Sequence, residues 1–234
     1  MIHVNNASKS YGRTQALKQL SLTLELGKII GIAGENGSGK STLLKCIAGV
    51  SSLSSGTIHI DGQPADRKIA EQLAYLPDAD LFYPFFTVGE LFDYYRSQFS
   101  DFNERKAKEV LDFLNVSLSS KMAKLSKGNR GRVKMAATLG REARYYVMDE
   151  PFSGMDPMVR ADLVKGLIQF TDLEWQTLIL STHEIREVEI LLDELVLLQK
   201  GRVLAHRQLE DIRAETGMDT VNWMTNLSKA GEQP

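Results

Sequence analysis

The chain has 234 residues, and its net charge of −2 provides no basic field that would attract nucleic acid. Its single cysteine excludes an internal disulfide framework, and it shows neither a signal-peptide pattern nor an apolar run of about 18 residues that would span a bilayer. We therefore expect a cytoplasmic protein that folds as one large domain or as a domain with a subdomain.

The first part of the chain predicts strands around a turn-rich loop. Residues 20–26 alternate leucine with polar side chains, which is the period of a half-buried strand. Residues 29–33 form an apolar run typical of a buried strand, and residues 56–62 place another short strand between turn glycines. These patterns indicate an antiparallel β layer beside the strand that leads into the loop.

The loop fits the pattern G-x-x-x-x-G-K-[ST] and consists of Gly34, Glu35, Asn36, Gly37, Ser38, Gly39, Lys40 and Ser41. Its glycines permit a tight turn that aims backbone N–H groups at an anion. Lys40 would reach the β- and γ-phosphates of a nucleotide, and the Ser41 hydroxyl would hold Mg²⁺. A helix over residues 41–48, opening with Ser41 and Thr42, would turn its positive end toward the phosphates. The alternative is a Gly/Ser-rich turn that matches the pattern by chance.

Residues 80–142 change character and predict three helices. Thr87 and Glu90 form a capping box at the start of the first helix. Asn103 is the candidate N-cap of a second helix that runs to Leu114, and a third helix starts near Gly128. We expect this block to be a helical subdomain inserted into an α/β core.

Strands return after the helical block. Residues 145–148 and 177–181 are short apolar runs, as expected in a parallel sheet that is covered on both faces. Residues 159–170 between them predict a helix, and residues 196–204 predict a hairpin that turns at Lys200 and Gly201.

The elements together predict an α/β fold with a P-loop nucleotide-binding core, a mixed or parallel sheet, an N-terminal antiparallel β layer and an inserted α-helical subdomain. The core would comprise residues 1–79 and 143–206, and the subdomain residues 80–142. Residues 207–234 would form a polar C-terminal tail that docks as one short helix before fraying at residues 231–234.

Two acidic residues follow the predicted strand at residues 145–148. Asp149 fits a carboxylate that organises Mg²⁺, directly or through water. Glu150 would polarise an attacking water as a general base. The alternative is a pair of solvated acids at the end of a strand, which Pro151 would terminate in either case.

A further motif opens the third helix of the middle block and consists of Ser126, Lys127, Gly128 and Asn129. With the loop and the acidic pair, it makes the chain resemble the ATP-binding subunit of an ABC transporter, which carries an L-S-G-G-Q-like signature about two dozen residues before its acidic pair. The resemblance implies that these four residues bind the γ-phosphate of an ATP held by the opposite subunit, in a head-to-tail dimer with two shared sites. The alternative role of Ser126 is an ordinary helix N-cap.

The resemblance covers about residues 2–205 and implies the ABC ATPase fold. It also implies that Tyr11 stacks on adenine, that His183 is the switch histidine at the γ-phosphate, and that residues 153–156 contact the partner subunit. Without it, Tyr11 would be a packing residue, residues 153–156 a plain turn and His183 a structural histidine.

Two places depart from the family pattern. Asp78 stands where the family has a glutamine that touches Mg²⁺ and senses the membrane partner, and we expect it to position metal or water, since aspartate offers an oxygen but no amide donor. In the signature, Lys127 replaces a glycine and Asn129 replaces the glutamine. Lys127 would add a cation near the phosphate of the opposite subunit or point to solvent.

Aromatic residues follow Asp78 in the segment at residues 81–86. The resemblance places a groove for a short helix of the membrane subunit in this neighbourhood, and exposed aromatic patches usually mark partners. The alternative is that the segment forms the core of the helical subdomain.

The leading hypothesis is an energy-coupling ATPase. Two copies, or one copy with a related chain, would close around two Mg-ATP and drive a separately encoded permease at the cytoplasmic face of the membrane. The Lys127-type signature and the short tail resemble bacterial exporters, and the cargo would be selected by the permease. A soluble ABC ATPase acting on DNA or ribosomes is the alternative, although the chain has neither a long coiled-coil insertion nor a second ATPase half. A regulatory module without turnover is disfavoured by Lys40, Asp149, Glu150 and His183.

Overall fold

The computed structural model describes residues 1–80 and 82–230. Its strands are β1 (Ile2–Tyr11), β2 (Thr14–Leu24), β3 (Ile29–Ala33), β4 (Ser55–Ile60), β5 (Gln63–Pro64), β6 (Leu73–Leu76), β7 (Tyr145–Met148), β8 (Thr177–Thr182), β9 (Glu194–Gln199) and β10 (Arg202–Gln208). Its α-helices are α1 (Lys40–Ile47), α2 (Val88–Gln98), α3 (Glu104–Phe113), α4 (Lys127–Leu139), α5 (Pro157–Phe170), α6 (Leu209–Thr216) and α7 (Thr220–Ala230). Short 3-10 helices lie at Arg67–Glu71, Met122–Lys124, Ile185–Glu187 and Glu189–Leu191.

The strands form two sheets, as the α/β prediction requires. A four-stranded antiparallel sheet has the order β2-β1-β4-β5, and a six-stranded sheet has the order β10-β9-β3-β8-β7-β6. In the larger sheet all neighbours pair in parallel except β9 and β10, which form the predicted hairpin. The carboxyl ends of β3, β8, β7 and β6 therefore meet at one edge, where α/β folds place their ligand sites.

The strand predictions from hydrophobic patterning are confirmed. Leu20, Leu22 and Leu24 are buried on one face of β2, whereas Leu26 lies beyond the end of the strand and is exposed. β3, β7 and β8 are buried along their whole length, because helices or a second sheet cover both faces of the central parallel strands.

Two hydrophobic clusters lie on opposite faces of the six-stranded sheet. Val147 and Ile179 belong to the cluster that contains α1 and the antiparallel sheet. Their strand neighbours Tyr146 and Leu180 belong to the cluster that contains helices α2 to α5. The alternation along each strand thus separates a β layer from a helical layer, with the parallel sheet between them.

The predicted helix starts in the middle block are confirmed. Thr87 and Glu90 form a reciprocal capping box at α2, and Asn103 accepts a hydrogen bond from the backbone N–H of Lys106 at α3. Ser126 is the N-cap of α4 and accepts from the backbone N–H of Asn129. Local side-chain to backbone hydrogen bonds therefore fix where these helices begin.

The predicted helix of the tail is present as α7, but the tail also contains a second helix that the sequence pattern does not predict. β10 continues to Gln208, and the chain then forms two helices, α6 and α7. Gly217 separates them with a φ of 64°, a left-handed conformation that ends α6. Trp223 buries its side chain against the helical layer, which is why α7 is docked. The predicted fraying at residues 231–234 and Leu81 of the aromatic segment lie outside the described residues.

No helix within residues 1–80 and 82–230 is long and apolar enough to cross a bilayer.

Candidate functional site

The loop between β3 and α1 takes a conformation that requires glycine. Gly34, Gly37 and Gly39 have φ angles of 149°, 81° and 109°, in the region that other residues rarely adopt. A Cβ atom at Gly34 would overlap the carbonyl oxygen of Leu198, and one at Gly39 would overlap that of Ala16. The neighbouring chain segments therefore hold the backbone of the loop in a fixed curve.

This curve leaves hydrogen-bond donors without partners. Gly39 caps α1 without a side chain, and the first turn of α1 contains no acidic residue. The hydroxyl of Ser38 is buried and makes no hydrogen bond among the described residues. Since an uncapped helix N-terminus carries partial positive charge, the loop fits an anionic group such as a phosphate.

Lys40 occupies the mouth of this loop. Its ammonium donates to the carbonyl oxygens of Gly34 at 2.7 Å and Glu35 at 3.2 Å, and it lies 3.7 Å from Oε1 of Glu150. Burial lowers the pKa of Lys40, although the carboxylates of Glu150 and Asp149 oppose that change. The cation is thus held at the mouth of the loop by two backbone carbonyl groups and a nearby carboxylate.

Ser41 and Asp149 meet behind the loop. Oδ1 of Asp149 accepts hydrogen bonds from the hydroxyls of Ser41 at 2.9 Å and Ser181 at 2.8 Å. A hydroxyl and a carboxylate beside a phosphate loop are oxygen ligands that suit Mg²⁺. Within the described part of the chain, no three His, Cys, Asp or Glu side chains are grouped so that they could hold a metal ion.

Glu150 lies between two nitrogen groups at the same edge of the sheet. Its Oε2 is 2.8 Å from Nδ1 of His183, while its Oε1 faces Lys40. Glu150 has a φ of 49°, an uncommon angle for a residue with a side chain, and its backbone N–H donates to Ser181. The left-handed turn after β7 directs this carboxylate toward the end of β8, where His183 begins the next loop.

Ser181 is a site residue that the sequence analysis missed. The sequence pattern predicts it only as part of a strand, yet its hydroxyl donates to Asp149 and accepts from the N–H of Glu150. The available signal was a hydroxyl at the end of an apolar strand, two residues before His183. Such a residue is polar where the pattern requires an apolar one, which indicates a buried hydrogen bond.

Lys134 is a second residue near the site that the sequence pattern does not single out. Its ammonium donates to the carbonyl oxygen of Asp78 at 2.9 Å and lies 3.7 Å from the carboxylate of Asp80. Arg130, one turn earlier on α4, also binds Asp80. These contacts tie the segment after β6 to α4, because two cations of one helix face reach the same short loop.

Asp78 itself is exposed, and its carboxylate forms no hydrogen bond or ion pair among the described residues. It lines a cavity of about 250 Å³ together with Lys127 and Glu150. This places an unpaired carboxylate close to the acidic pair, where the family pattern has a glutamine.

The side chain of Lys127 is exposed and extends toward the loop after the acidic pair of its own chain. Its ammonium lies against Gly154 of the same chain, so closely that a Cβ atom at Gly154 would overlap it. Gly154 belongs to the loop after the acidic pair and has a φ of 64°. The lysine thus connects the start of α4 to that loop within one subunit.

The structure brings together only part of the predicted site. Lys40, Ser41, Asp149, Glu150 and His183 form one connected cluster. Residues 126–129 form no hydrogen bond or ion pair with residues 34–41 in the described ranges. The signature residues therefore stand apart from the phosphate loop of their own chain.

Tyr11 is also separate from this cluster. Its ring is half exposed, and the ammonium of Lys9 lies 5.0 Å from the ring centroid. An exposed ring is available for stacking on a planar group, as the adenine-binding prediction requires.

Comparison with known proteins agrees with this geometry. The chain matches the ABC transporter family over residues 17–153, a range that includes the phosphate loop, the signature and the acidic pair. The chain belongs to the ABC transporter family. It is an ATP-binding subunit of this family and an ATPase.

Individual relatives of this ABC ATPase match over most of its length. The glutamine transport ATP-binding protein GlnQ of Escherichia coli (strain K12) is 32% identical over 87% of this chain and 89% of the relative. The Nod factor export ATP-binding protein I of Rhizobium etli is 32% identical over 90% of this chain and 69% of the relative. A solved ATP-binding subunit of an ABC transporter superposes with a TM-score of 0.86 at 28% identity, covering 97% of this chain and 99% of that one. The predicted ABC ATPase fold is therefore confirmed.

Proposed function

We propose that two copies of this ABC ATPase close head-to-tail around two Mg-ATP and drive a separately encoded membrane permease. The observation that carries the proposal is the position of Glu150, whose carboxylate lies between Lys40 and His183 beside the phosphate loop. A carboxylate held there can accept a proton from a water that attacks the γ-phosphate.

Each residue of the cluster has a proposed role in hydrolysis. Lys40 and the N–H groups of the loop bind the β- and γ-phosphates, assisted by Ser41 and Thr42 at the start of α1. His183 fixes the rotamer of Glu150 through the hydrogen bond at Oε2 and contacts the γ-phosphate. Tyr11 stacks on the adenine, since its ring is exposed at the end of β1.

Mg²⁺ would neutralise negative charge on the phosphates during the transfer. Ser41 would hold it through its hydroxyl, and Asp149 directly or through water, because both contribute oxygen atoms at the same point. Asp78 is proposed to position the metal or a water from the other side of the site, where its unpaired carboxylate faces the cavity shared with Glu150.

The second copy is required because the signature stands apart from its own phosphate loop. Ser126, Lys127, Gly128 and Asn129 lie at the start of α4, where the partial positive charge of a helix N-terminus suits an anion. In a head-to-tail dimer this site faces the γ-phosphate on the opposite chain. Lys127 would approach this phosphate together with the loop that contains Gly154, since its ammonium contacts that loop.

The permease is proposed to dock on an aromatic surface formed by Tyr83, Phe85, Phe86 and Tyr94. Neighbouring rings of this surface lie 5.0 to 6.1 Å apart, and Phe85 is 70% exposed. An apolar groove of about 330 Å³ adjoins it and is lined partly by Tyr83 and Tyr94. Exposed aromatic side chains beside an apolar groove suit a short helix of a partner. Docking there would hold the ATPase at the cytoplasmic face of the membrane.

Export is the proposed direction of transport. Of the two relatives described above, one is named for glutamine transport without a stated direction and the other for Nod factor export. The proposal of export rests on the resemblance of the Lys127-type signature to bacterial exporters. ATP-dependent accumulation of cargo in inverted vesicles that contain the permease would support it, and ATP-dependent release would contradict it.

Dimerisation tests the proposed arrangement of the two sites. The Glu150→Gln variant should elute as a dimer with Mg-ATP and as a monomer without nucleotide, because binding proceeds and hydrolysis does not. Adding Ser126→Glu to this variant should keep ATP binding and abolish the dimer, since a carboxylate would face the γ-phosphate of the partner. A monomer in both cases, with ATP bound, would rule out the head-to-tail pair.

A further inference from the structure

Tyr75 shares a face of the sheet with the acidic cluster. It lies on β6 and pairs with Val147 of β7 in the parallel register, and Asp149 follows Val147 by two residues. Because side chains alternate along a strand, Tyr75, Val147 and Asp149 all project toward α1. The contact of Asp149 with Ser41 of α1 agrees with this orientation.

The hydroxyl of Tyr75 is buried and makes no hydrogen bond among the described residues. The carboxylates of Asp149 and Asp78 lie near this hydroxyl, and a tyrosine phenol is protonated at neutral pH and can therefore donate. A buried donor without a partner costs free energy, and such groups in folded proteins call for a specific explanation.

Asp149 has an oxygen that is free to accept this donor. Its Oδ1 already accepts from Ser41 and Ser181, and the described residues place no donor on Oδ2. The Tyr75 hydroxyl interacts electrostatically with the Asp149 carboxylate, which places the remaining donor near the remaining oxygen.

We propose that Tyr75 is a positioning residue for Asp149, whose hydroxyl donates to the free oxygen of that carboxylate and holds it in the orientation that Mg²⁺ requires. The inference rests on the proposed role of Asp149 at the metal. Groups that orient a metal ligand commonly change metal affinity by about 10- to 100-fold when they are removed. Tyr75 thus acts through Asp149 and touches no reacting atom.

The Tyr75→Phe variant removes only the hydroxyl and keeps the ring that lines the apolar groove. The measurement is the affinity for a fluorescent ATP analogue, titrated with Mg²⁺ and repeated in EDTA. We expect the Mg²⁺ concentration for half-maximal tightening to rise about 10-fold, with no change in the affinity measured in EDTA. An unchanged Mg²⁺ requirement would overturn the proposal.

Tyr95→Phe is the matched control, because Tyr95 lines the same groove and belongs to α2, away from Asp149. It should leave the Mg²⁺ requirement at the wild-type value. Urea unfolding without nucleotide or metal measures whether the Tyr75 hydroxyl also supports the fold. A loss of stability with an unchanged Mg²⁺ requirement would show that the hydroxyl only supports the fold.

Asp149→Asn distinguishes a failure of the inference from a failure of the proposed function. If Asp149→Asn weakens the Mg²⁺ dependence and Tyr75→Phe does not, the role of Tyr75 is wrong and that of Asp149 stands. If neither variant changes the Mg²⁺ dependence, both the metal role of Asp149 and the role of Tyr75 are wrong.

Discussion

Oε2 of Glu150 lies 2.8 Å from Nδ1 of His183, and the two residues follow the neighbouring parallel strands β7 and β8. The hydrogen bond fixes the carboxylate so that its other oxygen faces Lys40. Catalysis by a general base depends on the orientation of its acceptor oxygen, because proton transfer requires a short and aligned contact with the attacking water.

Replacing Glu150 with glutamine should lower the rate of ATP hydrolysis by about 10²- to 10⁴-fold, since the amide cannot accept the proton. ATP affinity should stay close to the wild-type value, because glutamine keeps the contact with His183 and the loop remains intact. Phosphate release and equilibrium binding would be measured on the same preparation. Glu184→Gln is the control, as it removes an exposed acid beside His183. Normal turnover in Glu150→Gln would exclude this residue as the base.

Ser181→Ala should destabilise the nucleotide-free protein by about 1–3 kcal/mol, because it leaves the partly buried N–H of Glu150 unpaired and removes a donor from Asp149. It should also slow hydrolysis, since both acids lose a fixed orientation. Urea unfolding and a phosphate-release assay would measure the two effects. Ser97→Ala, in which an exposed hydroxyl on α2 is lost, should change neither. Wild-type stability and rate in Ser181→Ala would contradict the bridging role.

Lys40 should make both ATP affinity and stability depend on alkaline pH. Its folded pKa lies below the usual 10.5, so between the folded and unfolded values the unfolded chain binds more protons. The free energy of unfolding contributed by Lys40 therefore rises with pH in that window. ATP affinity falls over the same window, because the cation that binds the phosphates is lost.

Comparison with Lys40→Met isolates this effect from other lysines. Lys106 and Lys134 also have lowered pKa values, but they are present in both proteins. The unfolding free energy of the wild type should increase relative to that of the variant as pH rises toward 10.5. A difference that stays constant with pH would show that Lys40 has an ordinary pKa.

Phe85→Asp should abolish co-purification with the permease, because it places a charge in the middle of the proposed aromatic docking surface. Ile190→Asp is the matched control, since Ile190 is 91% exposed and lies apart from that surface. Circular dichroism would establish that both variants are folded. Retention of the permease by Phe85→Asp would place the docking surface elsewhere.

Elements with local causes could be predicted from the sequence. The order β3, loop and α1 follows from an apolar run, three glycines and a lysine that are adjacent in the chain. The helix starts at Thr87 and Asn103 follow from capping residues that bond within the next turn. The roles of individual residues in binding and hydrolysis stay predictions, although the structure clusters Lys40, Ser41, Asp149, Glu150 and His183.

Features that depend on distant residues were decided by packing. Ser181 joins Asp149 and Glu150 only because β7 and β8 are parallel neighbours, and Lys127 meets Gly154 only because α4 packs beside the loop after β7. α7 was foreseen as a helix, but α6 was not, since its position depends on the core that it covers. Backbone conformation is largely set by near neighbours, whereas side-chain partners are set by whichever segments the burial of apolar surface brings together.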